Sequence, residues 1–134
     1  MTYLLDTNAV SDLMRASPKI EAWLETLRED DRLVTCPIVR GEILFGIAKL
    51  ARSARRSDLE VKAVRLLRAL PCEPVPESAG DFYAAIKLRR QRSGLALDEN
   101  DLWVTATTLA LGATLVSRDS DFAGIDGLTV LNLT

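Results

Sequence analysis

The feature that most restricts the fold is an alternation. Short apolar runs, too brief for helices, are separated by longer stretches of helical periodicity. The runs are "TYLL" (2–5), "RLVTC" (32–36), "ATLVSRD" (113–119) and "LTVLNL" (128–133). Strands this continuously apolar are covered on both faces. Strands joined through helices pair in parallel, because a parallel pair needs a long crossover. The expected architecture is therefore α/β: a mainly parallel, twisted sheet flanked by helices on both faces, in three layers. A chain of 134 residues, 48% hydrophobic and 27% charged, has enough apolar surface for one compact domain spanning 1–134. No repeat or interdomain linker interrupts it.

Local signals place the helices. One is expected from about Asn8 to Arg15. Ser17-Pro18 reads as N-cap and first residue of the next, which lines up Ile20, Trp23, Leu24 and Leu27. Pro37 opens a helix to about Leu50. "ARSARRSD" breaks the pattern, and Ser57 is a plausible N-cap for a helix to Leu70 with Val61, Val64 and Leu67 apolar. "CEPV", bracketed by prolines, is a short strand or extended link. A helix from about Ser78 carries Phe82, Ile86 and Leu88 and ends at Gly94. Asp98 is an N-cap, with Asp101 as the acid of a capping pair, for a helix that stops at Gly112.

Much chemistry is excluded. The chain has no histidine, which removes Ser-His-Asp and Cys-His nucleophile systems and imidazole zinc sites. Cys36 and Cys72 have no metal-ligand spacing and read as buried thiols of a reducing compartment. No apolar run approaches the roughly 18 residues of a membrane span. The first residues lack the basic-then-apolar pattern of a secretory signal, so a cytoplasmic protein is expected. The net charge of −2 argues against binding nucleic acid through overall positive charge but allows a local basic groove.

Carboxylates carry the remaining possibilities. Ligands of open parallel sheets bind outside the carboxyl ends of the strands. Asp6 follows the first strand and Asp119 the third. Glu42 lies about one turn into its helix, with Ile38 and Phe45 as neighbours on its face, and Asp101 lies in a first turn. Each has an ordinary alternative: Asp6 as a cap, Glu42 as a surface residue, Asp101 as a helix-start acid, Asp119 as a turn acid. Together, four carboxylates on one sheet edge would repel one another unless a multivalent cation neutralised them. All-oxygen ligands select hard cations, Mg²⁺ or Mn²⁺. Such an ion activates water and stabilises phosphoryl charge without histidine, so phosphodiester or phosphomonoester hydrolysis is the natural expectation. Two basic clusters, Arg52/Arg55/Arg56 and Lys87/Arg89/Arg90/Arg92, are either solvated helix ends or a rim that holds a polyanion.

Several stretches together resemble the PIN-domain ribonucleases, specifically VapC-type toxins of toxin–antitoxin pairs. They are "YLLDTNAVSDL", "CPIVRGEILFGI", "LRRQRSG", "ENDLWVTATTLALGATLVSRDSDF" and "LTVLNL", in family order over nearly the whole chain. Asp6 matches the first family acid and Glu42 the second, with Gly46 in its usual place. Asp101 matches the third, before "LWVTA" where "LIAA" is typical. Asp119 matches the fourth, more variable position, with Asp121 nearby as the other candidate. Thr7, Asn8 and Ser117 match pocket-lining polar positions; Ser117 stands where threonine is usual. The resemblance implies a PIN fold and Mg²⁺- or Mn²⁺-dependent cleavage of RNA, tRNA or rRNA being the expected substrates. It further implies Asp6, Glu42, Asp101 and Asp119 as metal ligands, a homodimer, and a VapB-type antitoxin laid across the site; the apolar residues around Trp23 and Ile47 read as core, with part of that groove as the alternative. Other readings fit less well. A haloacid-dehalogenase-like phosphatase needs an aspartate where Asn8 stands. A receiver domain needs an acidic pair at strand one and a late lysine. A PIN fold that binds RNA without cutting it remains the alternative.

Overall fold

The computed structural model describes residues 1–134. In chain order it has β1 (Thr2–Leu5), α1 (Thr7–Met14), α2 (Pro18–Leu24), β2 (Arg32–Val34), α3 (Pro37–Ala48), α4 (Ala54–Ala69), α5 (Ala79–Arg92), α6 (Glu99–Ala110), β3 (Thr114–Val116) and β4 (Val130–Leu131). All strand pairs are parallel, in the order β2-β1-β3-β4. Leu4 and Leu5 on β1, and Leu115 and Val116 on β3, are all buried. Successive strand residues point to opposite faces, so both faces of the central strands are covered, as their apolar sequence required. α1 packs on α2, α3 and α4, whereas α6 packs on β3, α3 and α5. No helix is long and apolar enough to cross a membrane.

The strand order places the functional edge. From β1 the chain moves to β2 on one side, and β3 lies on the other. The crevice of such a sheet opens where the order reverses, at the carboxyl ends of β1 and β3. The Asp6 N–H donates to the Val116 carbonyl at 3.2 Å, carrying the β1–β3 ladder one residue into that crevice.

Several local expectations are corrected. The first helix starts at Thr7 and not at Asn8, and neither Thr7 nor Asn8 is its cap: Asp6, for which capping is one of the two readings, caps α1 with its Oδ1 accepting from the Ala9 N–H at 2.8 Å. The cap of α4 is Ser53, not Ser57: Ser53 is extended (φ −166°) and its hydroxyl accepts from the Arg56 N–H, so the serine-rich break ends four residues sooner. Val61 and Val64 then face solvent while Ala63 and Leu67 enter the core. α2 stops at Leu24, before Leu27. The last strand is only Val130–Leu131. Cys72 is exposed, because "CEPV" is an edge link joined to Thr35 by a single parallel bridge.

No sequence signal marks the form of the α1–α2 corner. The Ser17 N–H bonds back to the Asp12 carbonyl and the Ala16 N–H to that of Leu13, both at 3.0 Å. This is the Schellman closure, in which the turning residue takes left-handed angles and is usually glycine. Here it is Ala16, at φ +52°.

Candidate active site

Five carboxylates line one cleft of about 230 Å³ at the carboxyl edge of the sheet: Asp6, Glu42, Asp98, Asp101 and Asp119. Thr7, Asn8 and Val104 complete its wall, and no lysine or arginine enters it. A more apolar hollow of about 300 Å³ lies between α5 and residues 124–127, but its charged groups are only Arg89, Arg90 and Asp126. The acidic cleft holds the convergent titratable groups that mark a functional site.

Asp6 sits deepest, at 5% exposure. Burial raises its pKa; the Ser117 hydroxyl and the Ala9 N–H oppose that rise, Asp119 adds to it, and Arg118 lowers it. Ser117 is itself buried, and its Oγ accepts from the Asp119 N–H at 3.0 Å. Ser117 thus stands behind the cleft rather than within its lining, bonded to the backbone of the acid after β3 and close enough to the acid after β1 to favour its charged form. The Thr7 hydroxyl donates to Glu42 Oε1 at 2.9 Å and fixes that long side chain across the gap between α1 and α3. The expected apolar face around Glu42 is only partial, because Phe45 is 67% exposed, with Lys49 over its ring.

Asp101 projects from the first turn of α6. Its carboxyl is pushed up to about 6, first by burial and then by the charges of Asp98, Glu42, Asp119 and Asp6. Asp98, expected only as a cap, has two roles. It does cap α6, accepting from the Asn100 N–H at 3.1 Å, but it also lines the cleft. No bond from Asp101 completes the expected capping pair. Asp119 and Asp121 separate cleanly. Asp119 lines the cleft and accepts from the Asp121 N–H at 2.9 Å, while Asp121 is exposed outside it.

Mutually repelling oxygen donors with no internal cation are the donor set of a hard divalent ion. No three of these side chains lie close enough to chelate one ion directly. Hard divalent ions that keep several of their waters take few carboxylates directly, and an ion here would be held partly through water.

Three of the seven residues of the basic clusters are engaged in ion pairs, and Arg55 lines a groove beside the cleft. Arg56 pairs with Glu60, Arg89 with Asp126, and Lys87 with Glu99 and the Tyr83 hydroxyl. Tyr83 in turn stacks on Trp103, with ring centroids 4.1 Å apart, locking α5 to α6. Trp23 packs edge-on against Tyr3 beside the core, and Ile47 belongs to the core. Ile47 also borders a groove that shares Thr7 and Glu42 with the cleft.

Comparison with known proteins identifies the family and the fold. The model of the PIN domain matches residues 3–128. Ribonuclease VapC1 of Haemophilus influenzae is 32% identical over 123 residues, 89% of this chain and 87% of the relative. VapBC2 from Rickettsia felis, solved bound to a DNA fragment from their promoter, superposes with a TM-score of 0.89 at 24% identity over 100% of both chains. VapBC-5 from Mycobacterium tuberculosis, of the VapBC family of toxin-antitoxin systems, gives a TM-score of 0.70 at 22% identity over 98% of this chain and 97% of the other. From the sheet order, the acid-lined crevice and these matches, the chain belongs to the PIN-domain family, in its VapC-type branch.

Proposed function

We propose that this protein is a metal-dependent endoribonuclease toxin of a toxin–antitoxin pair. The observation that carries the proposal is the convergence of Asp6, Glu42, Asp98, Asp101 and Asp119 on one cleft with no cation among them. Mg²⁺ or Mn²⁺ bound there would supply an activated water and neutralise charge on the phosphoryl group. Asp6, Glu42, Asp101 and Asp119 would hold it, in part through water. Thr7 keeps Glu42 oriented, as outer partners do around metal ligands, and the Ala9 N–H does the same for Asp6. Asn8 is a neutral polar group at the cleft wall, suited to a phosphate oxygen or a water. None of these groups acts as a nucleophile.

The names of its relatives support RNA as the substrate and a VapB-type antitoxin as the partner. The groove sharing Thr7 and Glu42 with the cleft, with Met14, Ile43, Ile47 and Leu50 in its walls, offers an apolar seat for an antitoxin segment across the site. A homodimer acting in the cytoplasm completes the proposal. Purified protein should cleave total tRNA or rRNA with Mn²⁺, stop with a chelator, and lose the activity in Asp101→Asn. Equal cleavage by the variant would refute the assignment of the site.

A further inference from the structure

An acid-lined cleft attracts a cation and repels the RNA strand that it would cut. The attraction for the strand must come from beside it. The hollow next to the cleft has the opposite character. Asp12, Arg15, Lys19 and Arg118 are the charged side chains around about 360 Å³ between the end of α1, the start of α2 and the residue after Ser117, with Ser17, Ile20, Leu133 and Thr134 completing the wall. One acid serves two guanidiniums: Arg118 Nε donates to Asp12 Oδ2 at 3.1 Å, and Arg15 pairs with Oδ1. The Asp12 side chain is only 16% exposed, against 62% for Arg15 and 44% for Arg118. The acid is turned inward and the guanidinium forks outward. Lys19 is exposed nearby.

The two hollows are in register. Ser117 and Asp119 serve the acidic side, and Arg118 between them serves the basic one, as alternation along extended chain requires. On α1, Asn8 lines the acidic cleft and Asp12 the basic hollow. Four residues apart, they share a helix face and are separated by about 6 Å along the axis. Arg118 is also near enough to Asp6 to favour its charged form.

We infer that Arg118, Arg15 and Lys19 form a phosphate subsite that grips the RNA backbone one nucleotide step from the phosphodiester in the acidic cleft. The inference rests on the nuclease assignment and deepens it. Arginine forks match phosphate oxygens, and Asp12 holds both guanidiniums in place before the strand arrives, so less side-chain freedom is lost on binding. The Nε of Arg118 is used by Asp12, and its terminal nitrogens remain for the phosphate.

The test is binding of a short, labelled, mixed-sequence RNA by anisotropy, in chelator so that nothing is cut, across a salt series. Arg118→Gln should bind roughly tenfold more weakly, the scale of one charged hydrogen-bonded interaction. The slope of log K against log salt should flatten by about 0.7 for each phosphate that is no longer neutralised. Arg118→Lys should recover the slope but only part of the affinity. Lys62→Gln, on α4 where Lys62 pairs with Asp58, should change nothing. A folded Arg118→Gln or Lys19→Gln variant with wild-type affinity and slope would overturn the subsite, even with wild-type protein still cleaving RNA in Mn²⁺. Weakened binding of an acidic peptide with unchanged binding of RNA would overturn it equally. A wild-type protein that neither binds nor cleaves RNA would remove the nuclease assignment itself.

Discussion

Without metal, the acidic cleft should weaken the fold that carries it, and neutralising one carboxylate should strengthen that fold. Asp101 is the residue to change, because its carboxyl has moved from the usual range near 4 to about 6. A shift of about two pH units taken in full equals about 3 kcal/mol, but Asp101 is partly open to solvent, which screens it; about 1 kcal/mol is the appropriate scale. The sign follows from proton linkage. Between about pH 4 and 6 the folded protein holds a proton on Asp101 that the unfolded chain has released. Stability therefore falls as pH rises through that window and stays reduced above it. The raised pKa of Asp6 acts in the same direction. In chelator at about pH 7.5, Asp101→Asn should melt about 3–4 °C above wild type, and the gap should close as pH falls towards about 4. Mn²⁺ should then reverse the order, since binding to the folded state stabilises wild type far more than the variant. Differential scanning fluorimetry over pH, with and without metal, reads all of this. A variant less stable than wild type in chelator at neutral pH, a gap independent of pH, or equal stabilisation of both proteins by Mn²⁺ would refute the reasoning.

Three further outcomes are expected. In chelator Asp6→Asn should be at least as stable as wild type, because asparagine caps helices as well as aspartate and removes a buried charge, while Asp6→Ala should fall about 1–2 kcal/mol below Asp6→Asn; both should lose cleavage, so melting curves beside an RNA assay separate the cap from the metal ligand. Asp119→Asn should reduce Mn²⁺ affinity and cleavage, whereas Asp121→Asn should leave both unchanged in calorimetry and single-turnover assays, since only Asp119 faces the cleft. Ala16→Gly should raise stability by about 0.5–1 kcal/mol in urea melts: relief of a left-handed alanine exceeds the extra entropy of glycine in the unfolded chain.

The parts of the site that are legible in the sequence share a cause. Asp6 and Asp119 stand where apolar runs stop, and a parallel sheet sends the ends of such runs to one edge. Glu42 stands out in the sequence for a reason that the fold supports only in part. Phe45 on its face is largely exposed, and what holds Glu42 in the cleft is Thr7, thirty-five positions away. A hydrogen bond across that separation depends on how α1 and α3 pack, which no local pattern encodes. Ser57 reads as a cap by sequence because apolar helical spacing follows it; the extended backbone at Ser53 puts the cap four residues earlier. The basic hollow is invisible in the sequence for the same reason as the Thr7 bond. Arg118 and Asp12 lie 106 positions apart and meet only because β3 lies beside β1.

Asp98 escapes a sequence-based search because capping already accounts for an aspartate at its position, and Asp6 reads there as either a cap or a ligand. A carboxylate has two oxygens and can be both. Asp6 caps α1, Asp98 caps α6, and Asp119 caps the short turn Ser120–Phe122, so three of the five cleft acids are N-caps. At the carboxyl edge of a parallel sheet this coincidence has a physical basis. Helices leaving the strands start there, their free N–H groups demand an acceptor, and their positive ends stabilise anions. One carboxylate oxygen bound to backbone N–H groups restricts the direction of the other before any ion arrives. Folding thus holds much of the acidic cleft together against its own repulsion, and capping aspartates at such an edge are ligand candidates whenever other acids face them.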